Sequence, residues 1–238
     1  MTDRARLLEV RVKGIMAAPW KSRVGRVVPA PEAVQLMEGA VEIDAAVLYA
    51  DLARSSYLAS EFDERVGAKV VKSFLACTSL LVSKHGGKVT SFDGDRVMGV
   101  FVGEGKETSA VLCGLGINWA VSQVIFPRVR EQFPSLQTAG YLMSHAVGID
   151  CGQVSAVRVG YRFANDLVWI GRAPNLAAKL SDIRSSPYST FVTREVLERC
   201  TNNARLVGDP PVPMWSEFSF DWLGETVPIY ASAWWLRP

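Results

Sequence analysis

The sequence predicts an α+β domain with a βαββαβ core and a C-terminal αβ elaboration. Three features predict it. An apolar strand ends in a carboxylate at Asp51. A β-hairpin turning near Asp93-Gly94 lifts a second carboxylate, Asp95, to its tip. Two long stretches of helical spacing separate the strand-like runs. With 238 residues, 49% of them hydrophobic, the chain can bury a substantial core within one domain.

Residues 1–43 read as an N-terminal extension. Arg4, Arg6, Arg11, Lys13, Lys21, Arg23 and Arg26 crowd it, as expected of a solvated segment, and the two prolines of Val27-Val-Pro-Ala-Pro31 discourage regular pairing before the domain spanning 44–238. The first core strand covers 44–51, and Ala53-Arg-Ser-Ser56 is a small polar turn into a helix. Over 58–84 the apolar positions Val66, Val70, Phe74 and Leu81 recur at helical spacing until Gly86-Gly87 stops them. Asp93-Gly94 between two runs of β-formers is a hairpin signal. A second helix spans about 106–132. Residues 142–160 read as two strands broken near Asp150-Cys-Gly152, and 161–171 as a loop running into a short strand, Leu167–Ile170. A helix follows over 172–183, then a strand near 189–193, a helix near 193–200, a turn at Pro210-Pro211 and a β-rich tail. The core order is ferredoxin-like.

Composition excludes several functions. Lys plus Arg exceed Asp plus Glu by only two, so no basic field points to nucleic acid. Cys77, Cys113, Cys151 and Cys200 lack metal-ligand spacing, which excludes a zinc site and fits a reduced, cytoplasmic protein. The sequence shows no continuous apolar run of about 18 residues, so no membrane span is expected. His85 and His145 stand alone, and structural roles are expected for both.

Two strand-end carboxylates beside a helix start suit divalent metal and triphosphate. Mg²⁺ and Mn²⁺ take carboxylate, carbonyl and phosphate oxygens, and backbone N–H groups at a helix start attract anions. The hairpin Gly87–Phe101, Tyr49-Ala-Asp51, Val147-Gly-Ile-Asp-Cys-Gly152 and Ile170-Gly-Arg-Ala-Pro-Asn-Leu-Ala-Ala-Lys179 occur in the order and approximate spacing of class III nucleotidyl cyclase catalytic domains. The resemblance covers roughly residues 44–236. More narrowly, Asn165–Lys179 with Arg23-Val-Gly-Arg-Val-Val-Pro29 resembles the stand-alone pyrimidine cyclases of bacterial Pycsar anti-phage defence, uridylate cyclases foremost.

That resemblance implies specific roles. Asp51 and Asp95, with the Leu52 carbonyl, correspond to ligands of two divalent cations, Mn²⁺ or Mg²⁺. Asn175 corresponds to the asparagine that orients the ribose. Lys179 stands where the family usually has a transition-state arginine, and a lysine supplies charge without the bidentate fork. The family's C-terminal lysine is missing, since Phe220–Glu225 offers no cation, and Arg54 and Arg172 are the candidate substitutes on the triphosphate, beside the turn serines Ser55 and Ser56. Ser91 and Val168 occupy the base-reading positions and reproduce neither purine code. Tyr49 and Trp169 are candidates to narrow the pocket to a single-ring base. The implied activity is UTP to cyclic UMP, a second messenger sensed by a separate effector protein. The implied assembly is a head-to-tail homodimer with composite sites. Alternatives are a cytidylate or purine cyclase, or a degenerate nucleotide-sensing dimerisation module.

Overall fold

A computed structural model describes residues 2–36, 39–161 and 164–238. In chain order the elements are α1 (Asp3–Ala17), β1 (Ser22–Val24), β2 (Ala40–Leu52), α2 (Ser55–Glu61), α3 (Glu64–Lys84), β3 (Lys88–Asp93), β4 (Arg96–Val102) and α4 (Lys106–Trp119). A π-helical turn joins α4 to α5 (Phe126–Gln132), followed by α6 (Pro134–Thr138), β5 (His145–Tyr161), β6 (Ala164–Ile170), α7 (Arg172–Leu180), β7 (Thr190–Thr193) and α8 (Arg194–Glu198). The tail carries β8 (Leu206–Val207), β9 (Val212–Pro213), β10 (Ser216–Trp222) and β11 (Glu225–Ser232).

The main sheet runs β10-β11-β7-β5-β2-β4-β3, and its last four strands have the ferredoxin-like order the sequence predicts. Alternation along β2 makes two layers. Ala46, Leu48, Ala50 and Leu52 face a core shared with Val70, Phe74 and Leu81 of α3 and with Val111 and Leu115 of α4. Val41, Ile43, Ala45 and Val47 face the opposite side, where Ala173 and Ala177 of α7 pack. Asp51 belongs by parity to this second, α7-bearing face.

Several boundaries differ from the sequence reading. The first core strand begins at Ala40 rather than 44, and β1, from the segment read as an extension, pairs with it in parallel from Ser22↔Ala40 to Val24↔Glu42. α1 buries no residue. The helix expected over 58–84 is two helices, because Asp63 turns its side chain onto the Arg65 N–H at 2.9 Å and starts a new one. The break expected near Asp150–Gly152 is absent: β5 is continuous and pairs with β2 from Val41↔Ala156 to Leu52↔His145. Gly152, at φ +146°, takes up a backbone geometry that would strain other residues without interrupting the ladder. Strand β6 starts at Ala164, where a loop was expected, because it pairs along β5. The expected absence of membrane-length segments also needs correction. Glu64–Lys84 and Lys106–Gln132 are long and apolar enough to cross a bilayer. Both bury an apolar face in the first core, so the same composition serves packing against the sheet.

Candidate active site

Sheet register assembles the site at the C-terminal end of β2. Residues directly opposite one another across an antiparallel sheet share a face. Asp93, Arg96, Asp51 and Ala146 therefore form one row across β3, β4, β2 and β5. Ser91, Met98, Tyr49 and Gly148 form the next row on the same face. Gly94 and Asp95 are the two-residue hairpin turn, which places Asp95 next to the Asp51 row.

Asp51 is 7% exposed and is held by two guanidinium groups. Arg96 Nε donates to its Oδ1 over 3.2 Å, and Arg184 Nη2 donates to its Oδ2. Arg96 also pairs with Asp182. Burial pushes the Asp51 carboxyl above the usual range, Arg96 draws it down, Asp95 pushes it up and Arg184 draws it down. The Asp95 contribution means that its negative charge reaches Asp51. A carboxylate at a strand end beside one in the adjoining hairpin turn fits a divalent cation. Among the described residues no cluster of three His, Cys, Asp or Glu forms a metal site. A two-carboxylate set completed by a carbonyl, substrate oxygens and water suits Mg²⁺ or Mn²⁺ rather than zinc.

The remaining candidates fall into three groups. Tyr49 and Ser91 lie in the row beside Asp51, joined by buried Met98, which the sequence did not single out. Burial raises the Tyr49 phenol, Arg96 lowers it and Asp93 raises it, so Tyr49 senses the same charges. Ser55 and Ser56 line a cavity of about 800 Å³ with Phe92 and Asp95, between α2, α3 and the hairpin. Arg54, in the left-handed region at φ +63°, lays its guanidinium 4.5 Å over the Tyr57 ring.

Asn175 and Lys179 lie with Arg172 on the exposed side of α7. Asn175 Nδ2 donates to the Gly171 carbonyl over 2.9 Å, and the Lys179 ammonium has no polar partner among the described residues. Arg172 pairs with Glu195 at 3.4 Å and with fully buried Asp150 at 3.5 Å, and so is committed away from Asp51.

Val168 and Trp169 are at the far end of the sheet. Trp169 faces Ala156 of β5, whereas Asp51 faces Ala146, a separation of ten residues or about 33 Å. Trp169 is buried in the core beneath α7, and Val168 is exposed. Within one protomer neither reaches the Asp51 row.

Sequence reasoning missed Arg96 and Arg184. The first was legible, since placing Asp95 at a hairpin tip puts Arg96 opposite Asp51. The second had no local signal. His85 Nδ1 lies 2.9 Å from the Leu81 carbonyl oxygen at the end of α3, and His145, opposite Leu52 in the sheet, is buried against Phe74.

No family model matches the chain. It is 46% identical to a uridylate cyclase of Rhodovulum sp. (strain MB263), covering 95% of each chain. It is 37% identical to a uridylate cyclase of Burkholderia cepacia over 90% of each. The crystal structure of the guanylyl cyclase Cya2 shares the fold, with a TM-score of 0.66 and 18% identity over 84% of this chain and 96% of that one.

Proposed function

The chain belongs to the uridylate cyclase family, and from that premise we propose that it converts UTP to 3′,5′-cyclic UMP and pyrophosphate at the Asp51–Asp95 end of the sheet. It is a nucleotide cyclase, a phosphorus–oxygen lyase, with an α+β cyclase fold. The position of Asp95 in the hairpin turn that closes the Asp93–Arg96–Asp51 row supports the assignment of the site.

In the reaction the ribose 3′-oxygen bonds to the α-phosphorus, the bond from that phosphorus to the bridging oxygen breaks, and pyrophosphate leaves with the electron pair. The protein's task is positioning and charge neutralisation. Asp51, Asp95 and the Leu52 carbonyl would hold two divalent cations, which would supply acidification of the 3′-hydroxyl and charge for the polyphosphate. Ser55 and Ser56, which line the cavity with Asp95, offer hydroxyl and backbone N–H groups to the phosphate chain. Tyr49 and Ser91 form the floor beside the carboxylates and receive the base. A valine at the second reading position leaves a purine edge without partners.

Asn175 and Lys179 face solvent on α7, and among the described residues neither side chain bonds to Asp51 or Asp95. A head-to-tail homodimer delivers them to the partner's site, Asn175 to orient the ribose and Lys179 to meet developing phosphate charge as a point donor. The same assembly brings Val168 of one protomer toward the base bound by the other. The product then acts as a second messenger in anti-phage defence, in the cytoplasm and through a separate effector, a reading supported by the resemblance to Pycsar cyclases.

The test is incubation with each nucleoside triphosphate separately in Mn²⁺, with products resolved by chromatography. UTP gives cyclic UMP and stoichiometric pyrophosphate. A dominant cyclic AMP or cyclic GMP product refutes the pyrimidine assignment, and a dominant cyclic CMP product refutes its uridylate form.

A further inference from the structure

We propose that Arg184 is the triphosphate-binding cation of this site, stored on Asp51 until substrate arrives. The proposal rests on the assignment of Asp51 to metal and triphosphate, and it fills the gap left by the missing C-terminal lysine.

The two arginines on Asp51 are not equivalent. Arg96 also pairs with Asp182, so it keeps a carboxylate partner when Asp51 is taken up by a cation. Arg184 has Asp51 as its only carboxylate partner among the described residues. Its Nη1 donates to the carbonyls of Ser181 at 2.7 Å and Ile183 at 3.1 Å, just past the end of α7. Those bonds hold the guanidinium in place while leaving Nη2 free to exchange one anion for another. The side chain is 40% exposed, so its outward edge is open to a ligand.

Charge drives the exchange. A guanidinium beside Asp51 is stabilised by that carboxylate, and the stabilisation is lost once a divalent cation neutralises it. A polyphosphate sharing that cation brings more negative charge to the same spot, and Nη2 moves from carboxylate to phosphate oxygen without Nη1 leaving its carbonyls. Arginine suits this role because its planar fork serves two acceptors at once and stays charged at any working pH. The sequence's own candidates are engaged elsewhere: Arg54 is stacked on Tyr57, and Arg172 is paired with Asp150 and Glu195. Arg184 is therefore a binding residue for the phosphate chain and a competitor of metal for Asp51 in the resting enzyme.

These two roles predict opposite signs in one variant. Calorimetry with 3′-deoxy-UTP, which has no 3′-hydroxyl and cannot cyclise, measures nucleotide affinity in saturating Mn²⁺. Free Mn²⁺ counted by electron paramagnetic resonance measures metal affinity without nucleotide. Arg184→Ala and Arg184→Gln bind 3′-deoxy-UTP about tenfold or more weakly, the loss expected for a charge-assisted hydrogen bond. The same variants bind Mn²⁺ alone more tightly than wild type, and Arg184→Lys recovers part of the nucleotide affinity. Unchanged 3′-deoxy-UTP affinity in both neutral variants overturns the proposal, as does parallel weakening of metal and nucleotide, which marks a structural role. Asp51→Asn is the control on the underlying assignment. If it binds Mn²⁺ as wild type does, the metal site itself is misplaced and the proposal falls with it; if it loses Mn²⁺ while Arg184→Ala keeps nucleotide affinity, only the Arg184 role is wrong.

Discussion

Gly148 of β5 and Ala177 of α7 meet backbone to backbone: a Cβ on Gly148 would overlap the Ala177 carbonyl oxygen and lie 2.7 Å from the Cβ of Leu180. This contact seats α7, and with it Asn175, Lys179 and the approach to Arg184, against the strand that faces Tyr49. Gly148→Ala therefore pushes the helix off the sheet. A cost of about 1–3 kcal/mol is expected, as for an overpacked core, and the displaced helix lowers turnover as well. Thermal melts and steady-state kinetics on one preparation check both effects.

Asp51→Asn and Asp95→Asn remove charge with little change in volume. Each folded variant loses turnover by about a hundredfold or more if the carboxylates hold the cations. Circular dichroism reports the fold and pyrophosphate release reports the rate. Near wild-type cyclisation by either variant contradicts the site assignment.

Mixing two inactive proteins tests the composite dimer. Asp51→Asn and Asn175→Ala chains that exchange freely form mixed dimers half of the time, and one of the two sites in each is intact. About a quarter of wild-type activity returns on this symmetry. No recovery, with exchange shown independently by labelled subunits, indicates that each site is complete in one chain.

Base choice is read in a competition among equal concentrations of the four triphosphates. Burying a purine edge without partners loses roughly tenfold or more against a pyrimidine. Tyr49→Ala, which widens the floor beside Asp51, narrows that gap. A Tyr49→Ala enzyme as selective as wild type removes Tyr49 from the pocket.

His145 gives a pH signature of stability. Burial, and secondarily the charge of Arg184, lower its imidazole from 6.5 to about 4. Its Nε2 has no hydrogen-bond partner among the described residues. Between those values the unfolded chain binds a proton that the folded chain refuses, so stability falls as pH drops from 6.5 toward 4 and levels off below. The loss attributable to this group is about 3 kcal/mol at most. Asp51 and Asp150, both held above the usual carboxylate range, act in the opposite sense. The His145 share is therefore the difference between wild type and His145→Gln in urea midpoints at pH 7 and pH 4.5. Identical pH dependence in the two proteins rules out a buried neutral imidazole.

What depends on near neighbours is legible in the chain before folding. Helical periodicity, the Asp-Gly turn and glycine stops gave the order of the core elements, because those signals act within a few residues. They also put Asp95 at a hairpin tip and Asp51 at a strand end, the two positions on which the proposed cation site rests. Tertiary structure decided what depends on register and packing. Whether β5 breaks at Gly152 could not be read from glycine alone, because the pairing with β2 that carries the strand through lies a hundred residues away in the chain. Trp169 looked like a pocket wall until the β5–β6 register placed it about 33 Å from Asp51, under α7. Arg184 is the clearest case. It lies 133 residues from Asp51, with no motif to mark it, and only the close seating of α7 on Gly148 brings the loop beyond that helix, and its charge, onto the buried carboxylate.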